Sequence, residues 1–180
     1  GPAENYREVD GVIVFDEPAP AAGQTDMLGY AAEPLDTVRV GFIGLGMRGP
    51  DAVRRFTYID GVRIVALCDL EPERVDKTQE ILSERGFPAA QSYSGEDAWK
   101  RLCERDDINL VYIVTDWQTH VDMAVYAMEH GKHVAVEVPA ATSVADCWRL
   151  VDTSERTRMH CMMLENCVYD FFEITALNMA

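Results

Sequence analysis

Positive charge is scarce in this chain: 16 Lys and Arg stand against 31 Asp and Glu, a formal net charge of -15 over 180 residues. Such a surface repels nucleic acid phosphates and anionic lipid heads, and no basic run supplies a local exception. Neither nucleic acid nor a membrane is expected as a partner. Long hydrophobic runs are missing too, since nothing approaches the roughly eighteen consecutive apolar residues of a membrane helix. The start lacks the basic-then-apolar order of an export signal, but Gly1-Pro2 looks like the scar of a removed tag, so a leader could have preceded it. The expected compartment is exported or periplasmic in that case and cytoplasmic otherwise. Cys68, Cys103, Cys147, Cys161 and Cys167 show neither a CxxC pair nor Cys/His metal spacing, so no metal site is expected. They read as small buried hydrophobes, in a reducing compartment or too buried to pair.

What is present is enough apolar residue, 48%, for one core of ordinary size. Residues 1–36 mix Pro, Ala, Gly and acids with one strand-like run at Val12 to Phe15, and read as an N-terminal arm. From Val38 short β-rich runs alternate with amphipathic helical patterns, the signature of βαβ units. Strands are expected at Val38 to Ile43, Arg63 to Asp69, Gln91 to Tyr93, Leu110 to Thr115, His133 to Val138 and Met159 to Leu164. The helix after Pro50 should bury Val53, Phe56 and Ile59, and the helix from Glu71 should end at Gly86. Ser94 with Asp97, and Ser143 with Asp146, read as N-cap boxes, and Gly131 as a left-handed helix terminator. The expected class is α/β: a Rossmann-like, doubly wound, mainly parallel sheet over residues 37–169. Residues 170–180 read as an apolar helix without a partner, the start of a second, α+β substrate domain largely absent from the chain.

Gly44-Leu45-Gly46-Met47-Arg48-Gly49 sits between the first strand and the first helix, the context that a dinucleotide fingerprint requires. Gly44 permits the tight turn, Gly46 lets the backbone approach a pyrophosphate, and Gly49 lets the helix pack close to the strand. Free N–H groups at the helix start then face the phosphates. Asp69 ends the second strand, where an acid accepts hydrogen bonds from the adenine ribose. It would repel a 2′-phosphate by on the order of 4 kcal/mol per charge pair at about 4 Å and an effective dielectric near 20, so NAD is the expected cofactor.

These residues resemble the Gfo/Idh/MocA family, whose nucleotide domain carries a glycine fingerprint, Thr-x-x-x-x-His after strand four and Glu-Lys-Pro after strand five. Here Thr115 with His120 fits, while Glu137-Val138-Pro139 replaces the lysine with Val138. Glu-Val-Pro-Ala, Gly-Met-Arg-Gly and Trp-Gln-Thr-His together look like the NAD-dependent glycosidases of glycoside hydrolase family 109, of the α-N-acetylgalactosaminidase type, over residues 38 to about 175. The resemblance implies cofactor contacts at Met47, Arg48, Asp69, Trp117, Gln118, Thr119, His120, Glu137, Val138 and Asn166. It also implies transient oxidation of an N-acetylhexosamine glycoside, elimination, hydration and re-reduction, with acid/base groups on a second domain; no catalytic residue is assigned in this chain. Other readings remain: a sugar or polyol dehydrogenase of the same family, or a non-catalytic nucleotide-binding module. Each site residue has a structural reading beside the functional one: Arg48 a solvated turn arginine, His120 a helix-start histidine held by backbone, Glu137 an acid paired with a local cation, Trp117 a core residue, Asn166 a turn cap. The apolar end of the chain is expected to favour a homo-oligomer.

Overall fold

The computed structural model describes residues 6–15 and 23–179. Expectations for the rest of the N-terminal arm, Gly1-Pro2 among them, and for Ala180 lie outside the described residues.

A hairpin comes first, β1 (Tyr6–Val9) and β2 (Val12–Phe15), antiparallel with Val9 opposite Val12. Its two-residue turn is Asp10-Gly11, both at positive φ (53° and 80°), the pairing that a type I′ turn demands. The arm was expected to hold one strand; the Asp-Gly signal for the second was there to be read.

Six parallel strands follow: β3 (Val38–Ile43), β4 (Val62–Asp69), β5 (Gln91–Ser94), β6 (Leu110–Ile113), β7 (His133–Glu137) and β8 (Cys161–Leu164). They lie in the order β5-β4-β3-β6-β7-β8. Numbered along the sheet strands alone this is 3-2-1-4-5-6, the doubly wound dinucleotide-binding topology. Helices α1 (Gly49–Phe56) and α2 (Pro72–Glu84) pack one face, against Val40, Phe42, Ile64 and Leu67. Helices α3 (Ala98–Cys103), α4 (His120–Glu129) and α5 (Val144–Thr157) cover the other, against Ile43, Ala66, Val111 and Val136. Alternate residues of one strand thus serve two cores, which is why these strands read as continuous apolar runs. Helix α3 comes close at Gly41, where a Cβ would lie 2.8 Å from Leu102.

The expected strands all form, with ends shifted by one or two residues. Three local expectations fail. Ile59 falls beyond α1 and is exposed, because the helix closes at Thr57, two residues earlier. Ser94 is no cap: it ends β5 opposite Asp69, and Asp97 at the start of α3 spends its carboxylate on Lys100 at 2.8 Å. Cys147 and Cys167 are exposed rather than buried, whereas Cys68 and Cys103 are in the core and Cys161 is half-buried. The Ser143 cap does form, with Oγ accepting from Asp146 N–H at 3.1 Å, and Gly131 takes φ 73° after α4. Helix α6 (Phe171–Met179) buries none of its residues, Phe171, Phe172 and Leu177 included, after a 3-10 turn over Asn166–Tyr169.

Residues 24–30 fasten to α5 and the turn before β8, away from the strand ends that matter below. Arg158 donates to the carbonyls of Thr25 at 2.7 Å and Asp26 at 3.0 Å, and lies 4.4 Å from the centre of the Tyr30 ring. Among the described residues no helix is long and apolar enough to cross a membrane.

Candidate functional site

Crossovers from β3 run one way along the sheet and the crossover into β6 runs the other, so a crevice opens between the carboxyl ends of these two strands. There the structure has a cleft of about 1000 Å³, lined from all six strand ends. Gly44, Gly46, Met47 and Arg48 come from β3, Asp69 from β4, Trp117, Thr119 and His120 from β6, Glu137 and Val138 from β7, and Asn166 from β8. Eleven of the thirteen residues named from sequence therefore share one cavity. Gln118 lines the adjoining depression with Trp117, and Gly49 lies behind the loop.

The loop after β3 is shaped by two close approaches. Gly44 has φ 95°, and a Cβ there would lie 2.6 Å from the Val114 carbonyl oxygen. At Gly49 a Cβ would collide with the Gly44 carbonyl oxygen. Gly46 differs, because the nearest atom its Cβ would meet is Arg74 Nη1 at 3.8 Å. Backbone is bare there on the cleft side, an open cradle at the start of α1. The residues present thus fit a dinucleotide: free space above a glycine loop, a helix N-terminus behind it, and Arg48 and Arg74 as the cations on the lining.

Asp69 does more than wait for a ribose. It is 7% exposed, with Oδ2 accepting from Leu45 N–H at 2.6 Å and Oδ1 from Glu71 N–H at 3.0 Å and Arg74 Nη1 at 3.3 Å. The carboxylate braces the glycine loop against β4, and Arg74 offsets its charge toward any ligand. Repulsion of a 2′-phosphate is therefore weaker than for an unpaired aspartate.

His120 begins α4 and is 1% exposed, with Nδ1 2.8 Å from the Pro139 carbonyl oxygen and Nε2 3.2 Å from that of Thr115. Both ring nitrogens face backbone acceptors, so the imidazole ties two rim loops together. Trp117 is 61% exposed on the rim and is no core residue. Arg48 Nη1 stands 3.9 Å from Glu137 Oε2, linking the first loop to the end of β7. Glu165, not Asn166, caps the last turn, accepting from Cys167 N–H at 2.9 Å.

Sequence reasoning missed Arg74, Glu96, Asp97, Trp99, Asp116 and Glu165, which also line the cleft. Arg74 and Glu165 had no motif to mark them, but Asp116 did carry a local signal: it accepts from Gln118 N–H at 3.0 Å, a turn that aspartate favours. The lining includes no lysine, and Val138 sits at the position where one was expected from the resemblance.

Topology, glycine loop and switch-point cleft together define a dinucleotide-binding Rossmann domain. The chain belongs to the Gfo/Idh/MocA oxidoreductases, matching over residues 38–164 the family described as "Oxidoreductase family, NAD-binding Rossmann fold". It is 65% identical over 169 residues, 93% of its length, to a glycosyl hydrolase family 109 protein of Porphyromonas gingivalis, of which it covers 36%. It is 60% identical over 157 residues, 87% of its length, to an α-N-acetylgalactosaminidase of Bacteroides fragilis, of which it covers 37%. The chain thus spans about a third of the length of these curated relatives. Among solved structures, an NAD binding oxidoreductase from Klebsiella pneumoniae shares the fold with a TM-score of 0.64 at 24% identity, over 81% of this chain and 39% of that one. A 3-ketoreductase from Actinomadura kijaniata, seen in complex with NADP, does so with a TM-score of 0.67 at 21% identity, over 79% of this chain and 42% of that one.

Proposed function

We propose that this chain is the nucleotide-binding part, residues 37–169, of a longer redox-neutral glycosidase that removes α-linked N-acetylgalactosamine, with residues 170–180 leading into the substrate domain. The observation that carries the reading is the 60% identity to a protein named α-N-acetylgalactosaminidase, in a chain with the apolar Val138 on the cleft lining. When bound beside Gly46 and Asp69, NAD would supply hydride-transfer chemistry.

Oxidation of a sugar hydroxyl to a ketone, whether transient or final, needs a group to take the hydroxyl proton, help that typically contributes about 10²- to 10⁴-fold. Valine has no such atom, and the buried His120 ring turns both nitrogens toward backbone carbonyls rather than into the cleft. What the chain does offer is acceptors: Asp116, Glu137 and Glu165 line the cleft, and carboxylates accept well from hydroxyls of a sugar or ribose. Gly46 and the start of α1 take the pyrophosphate, Asp69 an adenine-ribose hydroxyl, Glu137 the second ribose, and Trp117 walls the open side. The groups that take the hydroxyl proton and the proton beside the transient ketone come from outside residues 1–180. The isolated chain is accordingly inactive on glycosides.

The test is hydrolysis of a chromogenic α-N-acetylgalactosaminide in deuterated water by the full-length enzyme. Deuterium at C2 of the released sugar without accumulation of NADH is expected. Stoichiometric NADH with the glycosidic bond intact would establish a dehydrogenase instead.

A further inference from the structure

A carboxylate at the rim of a cleft is useful only if its direction is set from behind. Glu137 closes β7 on the α1 face of the sheet. The strand register puts Phe42, Tyr112 and Ala135 side by side across β3, β6 and β7, so Glu137, two residues past Ala135, is the diagonal neighbour of Tyr112. The Tyr112 hydroxyl uses that diagonal and donates to Glu137 Oε1 at 3.0 Å. Its ring cannot swing away: it is 5% exposed, stacked on Phe42 at 5.1 Å and edge-on to Phe56 at 5.5 Å. The small Ala135 beside it leaves room for the ring to lie toward β7. Oε2 of Glu137 is left facing the cleft, with Arg48 Nη1 3.9 Å away.

We infer that Tyr112 is a positioning residue for Glu137: its hydroxyl holds Oε1 from the core side, so that Oε2 is presented to a ribose hydroxyl of the bound dinucleotide. This rests on the reading of Glu137 as a cofactor contact. Burial, with the charge of Glu137 second, pushes the Tyr112 hydroxyl up to about 12, so it stays a donor across the working range of pH. The aromatic trio is thus part of the site although no ligand touches it.

Two measurements on this chain test the assignment. Calorimetric titration with NAD compares Tyr112→Phe, Glu137→Gln and the double variant; a lost hydrogen bond to a charged group predicts about tenfold weaker binding for Tyr112→Phe. If the tyrosine acts through the glutamate, the double variant binds no more weakly than Glu137→Gln alone, whereas additive losses would reduce Tyr112 to packing and overturn the inference. In the ligand-free chain, ring-carbon NMR of labelled tyrosine, assigned by the signal absent from Tyr112→Phe, should show the Tyr112 midpoint falling in Glu137→Gln. An unmoved midpoint would overturn the inference too. Failure of the wild type to bind NAD would instead sink the cofactor reading, with the tyrosine titration still deciding whether the pair exists.

Discussion

The imidazole of His120 is held 2.8 Å from the carbonyl oxygen of Pro139, nineteen residues away across the gap between β6 and β7. A carbonyl oxygen only accepts, so the ring must donate. The same ring reaches Thr115 on its other side. Two loops that line the cleft from different strands are thereby joined through one buried side chain. Replacing His120 by leucine strands at least one buried carbonyl, which costs about 1–3 kcal/mol, and frees the 115–119 loop from the 138–140 loop. Urea unfolding should show that loss. Calorimetry should show weaker NAD binding, and unchanged binding would mean that the tie has no part in shaping the site.

The first and second fingerprint glycines should fail in opposite ways. Gly44→Ala meets a positive φ and a carbonyl 2.6 Å from the new Cβ, so the loss appears as stability, about 2 kcal/mol or more. Gly46→Ala has open space, and its methyl group stands where a pyrophosphate would approach. Thermal unfolding of Gly46→Ala should match the wild type within about 1 kcal/mol, while NAD affinity drops about tenfold or more. A Gly46→Ala chain that binds NAD normally would remove the pyrophosphate from this loop.

Arg74 should moderate the choice between NAD and NADP. Its guanidinium pairs with Asp69 at 3.3 Å, and without it a 2′-phosphate would meet the bare carboxylate. Arg74→Ala should therefore widen the preference for NAD. Asp69→Ala should narrow it and also destabilise the glycine loop, because Leu45 N–H and Glu71 N–H lose their acceptor. Affinities of the two cofactors for each variant decide the matter; equal ratios in wild type and Arg74→Ala would show that the arginine is a spectator.

Cysteine reactivity should divide the five thiols sharply. Burial pushes Cys68 and Cys103 up to about 12 and Cys161 to about 11, while Cys147 and Cys167 are exposed. A hydrogen bond to the Glu165 carboxylate raises Cys167 as well. Disulfide exchange with an aromatic disulfide reagent at pH 8 should label Cys147 first and Cys167 more slowly, with the other three reacting only in denaturant. Peptide mapping would identify the order, and early labelling of Cys103 would contradict the packing of α3.

Stability should fall on mild acidification. Burial, then the neighbouring His160, depresses the His133 pKa below its ordinary 6.5. In the fold Nδ1 of His133 accepts from the His160 backbone N–H at 3.0 Å, a role the protonated ring cannot fill. The unfolded chain then binds the proton more readily, so this contribution is complete above pH 6.5 and is lost as the pH falls through that value and below. The slope from one group is at most about 1.4 kcal/mol per pH unit. Denaturant unfolding at pH 7.5 and 5 should show the loss in the wild type and less of it in His133→Asn, which keeps an acceptor but does not titrate. Parallel losses in both would place the sensitivity elsewhere.

Much of this was legible from residue order. The six strands follow from apolar runs of strand length separated by helical periods, and the glycine loop from its place between a strand and a helix. Local chemistry misled where two signals competed: Ser94 and Asp97 have the spacing of a cap, but pairing with Asp69 kept Ser94 in the sheet. Ile59 continues the helical period of α1, yet the helix has already closed at Thr57. At Cys147 and Cys167 a residue type that is usually buried lies on the surface, because an amphipathic helix and a surface turn put it there.

The sequence by itself determined the class of fold, the NAD-type fingerprint and the strand ends where a ligand must lie, because these depend on periodicity and on spacings within a single βα unit. Only the tertiary structure decided which side chains meet: Arg74 on Asp69 within one βα unit, and across the sheet His120 between Thr115 and Pro139 and Tyr112 behind Glu137. The last contact joins residues of neighbouring strands through the parallel register, and the one before it joins the loops that follow those strands. Register is set by the joint packing of all six strands and five helices, and no local pattern carries it.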